Sequence, residues 1–142
     1  MSAVKLTCLD CGQVNRVPTD KARAAKCGTC GARLVDGKVH EVDLATFEKA
    51  KRNDGLPLVV DFWAPWCGPC RMMAPQYATA AGELAGTARL VKLNTEENPR
   101  AGAAYNIRGI PTMAAFKGGR EAARQSGAVG APQIVGFVKG AV

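Results

Sequence analysis

Histidine occurs once in this chain of 142 residues, at His40, aromatic residues make up only 6%, and 12 acidic side chains face 19 basic ones. No window approaches the roughly 20 apolar residues that a membrane helix needs. The start, MSAVKLTCLDCG, has no charged segment leading into a long apolar run. These absences predict a soluble cytoplasmic protein without a membrane partner. In that reducing compartment structural disulfides are rare, so paired cysteines are expected to bind metal or carry redox chemistry. A composition 47% hydrophobic and 22% charged weighs against disorder and suffices for one substantial core with a small appendage.

The net charge of +7 raises the question of nucleic acid. Residues 1–38 hold seven cations (Lys5, Arg16, Lys21, Arg23, Lys26, Arg33, Lys38) against Asp10, Asp20 and Asp36, which accounts for +4 of it. The same segment has no Phe, Tyr or Trp on which a base could stack. Four thiolates around a divalent ion would also place negative charge at its centre. A solvated basic surface is therefore the expectation, and nucleic acid is not expected as a partner.

All six cysteines fall in three Cys-x-x-Cys pairs. The first two, Cys8/Cys11 and Cys27/Cys30, are each followed by glycine and stand fifteen residues apart. Two intervening residues let both sulfurs of a pair turn toward one point. The glycine that follows can adopt backbone angles that aim amides at the sulfurs. Two such knuckles predict a tetrahedral four-sulfur metal site, with zinc and iron both compatible with the spacing. The segment is expected to have too few large side chains for a core, so metal binding would supply its folding free energy, of order 10 kcal/mol.

Texture changes near residue 38, and the division expected is a metal-binding segment over 1–38 and a second domain over 39–142. Within the latter, KVHEV reads as a strand and Asp43 as the N-cap of a short helix. Leu56 to Ala64 is an apolar run interrupted only by Asp61, the pattern of a central strand buried on both faces. A helix over Cys70–Ala85 containing Pro75, a strand over Ala88–Asn94, a helix begun by Pro99, a hairpin turning at Gly118 and Gly119, and a final helix weakened by Gly136 follow. The order β-α-β-α-β-α-β-β-α predicts an α/β fold, a mixed central sheet with helices on both faces.

The third pair, Cys67 and Cys70 in WCGPC, has no second pair left to complete a metal site, and His40 reads as an ordinary histidine. Cys67 stands where a buried strand meets a helix N-terminus, which favours a thiolate and predicts a low-pKa nucleophile. Cys70, one turn into the helix, is expected to be more sheltered and to attack a mixed disulfide on Cys67. Pro69 stiffens the turn without costing a hydrogen bond, and Trp63 and Trp66 supply an apolar collar. Asp61, a carboxylate inside an apolar strand, needs a raised pKa or a partner. It is expected to lie beneath the pair and take the Cys70 proton through water, with Lys92 as its partner on the neighbouring strand.

From about Val42 onward the chain resembles thioredoxin, on the strength of VDFWAP followed by WCGPC and of NIRGIPT at Asn106–Thr112. With its two additional Cys-x-x-Cys pairs the whole chain is similar to the zinc-containing second thioredoxins of bacteria. That resemblance implies a thioredoxin-like fold with a small zinc ribbon, structural Zn²⁺ on Cys8, Cys11, Cys27 and Cys30, and no organic cofactor. It implies catalytic roles for Cys67, Cys70, Asp61 and Lys92. A flat partner-binding surface would include Trp66, Gly68, Pro69, Gly109, Ile110, Gly127 and Pro111, the last as a cis-proline facing the pair. The activity implied is protein-disulfide reduction by a monomer that thioredoxin reductase recharges and that serves disulfide-containing targets. The other class considered is a ribbon adaptor for protein or nucleic acid with a redox-switch domain.

Overall fold

Residues 2–141 are described by a computed structural model. The chain opens with β1 (Ala3–Thr7) and β2 (Val14–Pro18), an antiparallel pair in which Thr7 faces Val14, so the first cysteine knuckle is the turn between them. A 3-10 helix over Thr19–Ala24 leads to the second knuckle. The expectation of no core here is corrected: Leu6, Val17, Ala22, Leu34 and Val35 are buried together with Cys8 and Cys27. Medium-sized aliphatics make this small core, and the two buried cysteines add to it.

The second unit follows the expected order. A two-residue strand β3 (His40–Glu41) precedes α1 (Leu44–Asn53), whose N-cap Asp43 accepts from the Thr46 amide at 2.8 Å. Then come β4 (Leu58–Trp63), α2 (Gly68–Glu83), β5 (Arg89–Asn94), α3 (Pro99–Ala104), β6 (Thr112–Lys117), β7 (Arg120–Ser126) and α4 (Ala131–Ala141). The five strands lie in the order β3-β5-β4-β6-β7, with β3, β5 and β4 parallel and β6 and β7 antiparallel. Gly136 and Gly140 leave α4 unbroken, since apolar packing of Ile134 and Val138 holds it to the sheet.

Strand alternation sorts the two faces. Leu58, Val60 and Phe62 join Phe47 and Ala50 of α1 and Ala101 of α3. Four of the few aromatics concentrate there, with Phe47 edge-on to Phe62 and Phe116 and Tyr105. Val59 faces the other way, toward Met73 and Tyr77 of α2, Leu84 just past its end, and Ile134 of α4. Asp61, two residues on from Val59, therefore belongs to the α2 face.

The two units are joined by buried polar contacts. Asp54, just past α1, accepts from the Thr7 amide at 2.8 Å and pairs with the Arg89 guanidinium, which donates to the Thr7 carbonyl at 2.9 Å. Arg89 and Asp54 are both almost wholly buried. The Gly55 amide also donates to Lys5 O at 2.8 Å.

Candidate active site and metal centre

Cys67 is the N-cap of α2, with the Cys70 amide 3.3 Å from its sulfur and Pro69 in the first turn. The two cysteines are disulfide-bonded, their Cα atoms 5.2 Å apart. The expected contrast in exposure is slight: Cys67 is 5% exposed and Cys70 2%. What separates them is position. Cys67 Sγ lies at the helix end, 3.7 Å from Ile110 O, while Cys70 faces inward.

The Ile110–Pro111 peptide is cis, and the Gly127 amide donates to Pro111 O at 2.8 Å, fixing this loop to the end of β7. Pro111 is buried and Gly109 exposed, with Ile110 between the two. Trp66, 67% exposed, stands beside a shallow groove of about 370 Å³ lined by Thr95, Gly102, Ile107, Arg108, Gly109 and Ile110. Gly68 and Pro69 sit at the accessible turn of the pair. The structure thus brings every expected surface residue of this group to one side of the molecule around Cys67, with Gly127 acting through the loop it holds.

Behind the pair is a cavity of about 390 Å³ shared by Asp61, Trp63, Cys70, Tyr77 and Lys92. Asp61 is 3% exposed, and among the described residues its Oδ1 has no hydrogen-bond partner. Burial pushes its carboxyl up to about 7, with the positive charge of Lys92 working against the rise. The expected direct partnership with Lys92 is corrected. The two residues are in register on adjacent strands, yet the ammonium sits 4.6 Å over the Trp63 ring and 3.9 Å from Glu41. Half-exposed, a lysine gains more from water, a π face and a solvated carboxylate than from a buried acid. The sequence reading missed that Gly37, Lys38 and Val39 also line this cavity; the apolar Val39 just before the short strand was the one signal available.

At the other end of the chain, the sulfurs of Cys8, Cys11, Cys27 and Cys30 all lie within 4.8 Å of one another, with Cys8–Cys30 and Cys11–Cys27 at 3.6 Å. Zinc bound tetrahedrally at about 2.3 Å from each thiolate would hold its sulfurs about 3.8 Å apart, so the set fits. Gly12 and Gly31 take positive φ of 83° and 80°, and their amides turn back to the carbonyls of Cys8 and Cys27. The thiols also divide in acidity: Cys27, helped most by the Cys30 amide, falls to about 6. Cys30, although the Ala32 amide opposes the change, is pushed to about 12 by Cys8, burial and the other thiols. Four ionised sulfurs this close require a cation between them.

A mixed sheet with a Cys-Gly-Pro-Cys pair at a helix N-terminus, facing a cis-proline loop and backed by a buried acid, defines a thiol–disulfide oxidoreductase of the thioredoxin fold. Comparison with known proteins agrees: residues 38–140 match the Thioredoxin family model and residues 7–32 the model of the Thioredoxin 2 N-terminal zinc ribbon. The chain belongs to the thioredoxin family and carries that family's zinc-ribbon extension. It is 41% identical over 125 residues to Thioredoxin C-3 of Corynebacterium nephridii, covering 87% of this chain and 86% of that one. It is 42% identical to the chloroplastic M-type thioredoxin of Chlamydomonas reinhardtii, covering 83% and 82%. Among solved structures, chloroplastic thioredoxin z superposes with a TM-score of 0.68 at 32% identity, over 73% of this chain and 94% of that one. Among the described residues no helix is long and apolar enough to cross a membrane.

Proposed function

We propose that the protein is a cytoplasmic protein-disulfide reductase in which Cys67 is the nucleophile and Cys70 the resolving thiol. The observation that carries this reading is the position of Cys67 as the cap of α2, its sulfur receiving the Cys70 amide. In the dithiol state that amide and the helix dipole favour the Cys67 thiolate. The thiolate attacks a target disulfide whose chain lies extended in the groove between Trp66 and Gly109–Pro111, releasing one target sulfur as a thiolate. The Cys70 thiol then passes its proton through cavity water to the Asp61 carboxylate and attacks Cys67 Sγ. The Cys67–Cys70 disulfide forms, the mixed disulfide breaks, and the second target sulfur leaves as a thiolate; two electrons have moved from the dithiol to the target. Lys92 acts on Asp61 through its charge alone. A thioredoxin reductase returns the dithiol. Residues 1–38 form a ribbon whose four cysteines hold one structural Zn²⁺, and residues 39–142 perform the exchange.

The test is insulin reduction coupled to thioredoxin reductase and NADPH. The full chain turns over, Cys67→Ser is inactive, and Cys70→Ser traps targets as mixed disulfides on Cys67. Trapping by Cys67→Ser through Cys70 instead, or faster iodoacetamide labelling of Cys70 in the reduced protein, would reverse the assignment.

A further inference from the structure

The segment that leads from the ribbon into the thioredoxin body is built into the site. Gly37 lies so close to the end of α2 that a Cβ on it would stand 3.7 Å from Gly82 Cα and 3.3 Å from the Cβ of Ala85 just beyond, and its φ of 69° is one that side chains rarely adopt. Lys38 and Val39 then line the cavity that Asp61 and Cys70 share, and Val39 packs against the core on that face of the sheet. Asp36 brackets these residues. Its Oδ1 accepts from the Lys38 amide at 3.0 Å, and its Oδ2 lies 2.8 Å from His40 Nε2. The connector is thereby closed on itself on both sides of the two residues that face the cavity.

We propose that this connector is the roof of the proton-transfer cavity and that Asp36 is a positioning residue, holding Lys38 and Val39 over the path between Cys70 and Asp61. The inference rests on the reading of Asp61 as acceptor of the Cys70 proton. Among the described residues Asp61 Oδ1 and Trp63 Nε1 are both buried without a hydrogen-bond partner, and the largely apolar cavity that these two residues border has room for waters that can link Cys70 to the carboxylate. Covered from bulk solvent, those waters screen poorly, and the carboxyl keeps a proton affinity matched to a thiol near neutral pH. The charged and titratable groups on the cavity are Lys38 of the connector, Lys92 of β5 and Arg71, Cys70 and Tyr77 of α2. Glu41 of β3 stands beside Lys92, and Tyr77 is committed to two carbonyls. The cations all favour the carboxylate, and burial opposes them; the connector's share of that burial is what we assign to the roof. The chemistry is unchanged by this assignment: Cys70 loses its proton to Asp61, its sulfur bonds to Cys67 Sγ, and the target thiolate departs. The roof sets how readily the first of these occurs.

Titration of Asp61 in the reduced, zinc-loaded full chain by carboxyl-carbon NMR tests this directly. Asp36→Ala and Val39→Ala are each expected to move the Asp61 midpoint acidward by about one pH unit, as water enters and the burial effect weakens. Asp36→Asn, which can still accept from the Lys38 amide, moves it less. Val39→Ala trims only a half-buried side chain and gives the answer even if Asp36→Ala does not fold. Midpoints unmoved in the folded variants overturn the roof. Should they move while Asp61→Asn leaves target release unchanged, the roof holds and the acceptor role of Asp61 falls. Slow release in Asp61→Asn with unmoved midpoints removes the roof alone.

Discussion

Asp61 is the residue at which stability and chemistry pull in opposite directions. Its folded pKa of about 7 lies above the ordinary carboxylate value because burial disfavours the charge. A raised folded pKa means that the stability associated with the protonated acid is fully present below about pH 4. It is lost progressively as pH rises toward and through 7, since the unfolded chain ionises first. Asp61→Asn should therefore be more stable than the parent at pH 8 by on the order of 4 kcal/mol, with the difference vanishing near pH 4, while target release slows. Urea denaturation across that range reads it, and a difference independent of pH would show that the carboxyl is not ionising in place. The sequence indicated this residue because an acid stood in an apolar strand. The Lys92 contact was not legible, because register places two residues side by side but does not decide where a long, half-solvated side chain settles.

At the scale of elements, α2 carries Cys70, is capped by Cys67, and must be held at a fixed distance from β4, which carries Asp61. Tyr77 does part of this: its buried hydroxyl lies 3.2 Å from Val59 O and 2.9 Å from Val91 O, on the two central strands. Tyr77→Phe removes that donor and leaves the carbonyls to their remaining partners, at a cost of about 1–2 kcal/mol, a fall of several degrees in Tm by calorimetry for a chain of this size. An unchanged Tm would mean that the apolar contacts of the ring alone seat the helix. Helix and strand types were readable from periodicity, caps and turns, as Asp43, Pro99 and the Gly118–Gly119 turn show. The β1–β2 hairpin and the 3-10 helix were not, since strands of five residues around a metal knuckle carry too little alternation to register.

Over the whole molecule the cysteines fall into two classes that do not exchange members, but the units bearing them are tied together at Thr7, Asp54 and Arg89. Metal analysis is expected to give one zinc per chain, retained when Cys67 and Cys70 are both replaced by serine and lost in Cys8→Ser or Cys30→Ser. Because Thr7 adjoins Cys8 of the four-cysteine cluster, treatment with a chelator is expected also to loosen the partners of buried Arg89. Loss of a buried pair's environment costs about 3–5 kcal/mol where it is complete, so the metal-free chain should melt at lower temperature in its thioredoxin unit as well. Zinc surviving in Cys8→Ser, or a thioredoxin transition indifferent to chelation, would contradict the respective halves of this account.

Local patterns were legible in the sequence alone: paired cysteines at fixed spacing, glycines that close the knuckles, a proline in the first helical turn, an acid in an apolar strand. Each depends on residues within a few positions of one another, where backbone geometry leaves few alternatives. The tertiary structure decided what sequence distance hides. It turned Asp61 toward α2 and sent Lys92 to Trp63 and Glu41. It buried Arg89 against Asp54 and the Thr7 carbonyl and brought Gly37, Lys38 and Val39 to the wall of the Asp61 cavity. Those contacts arise from the packing of whole faces, and a pattern read along one strand or helix holds no record of which neighbour will cover it.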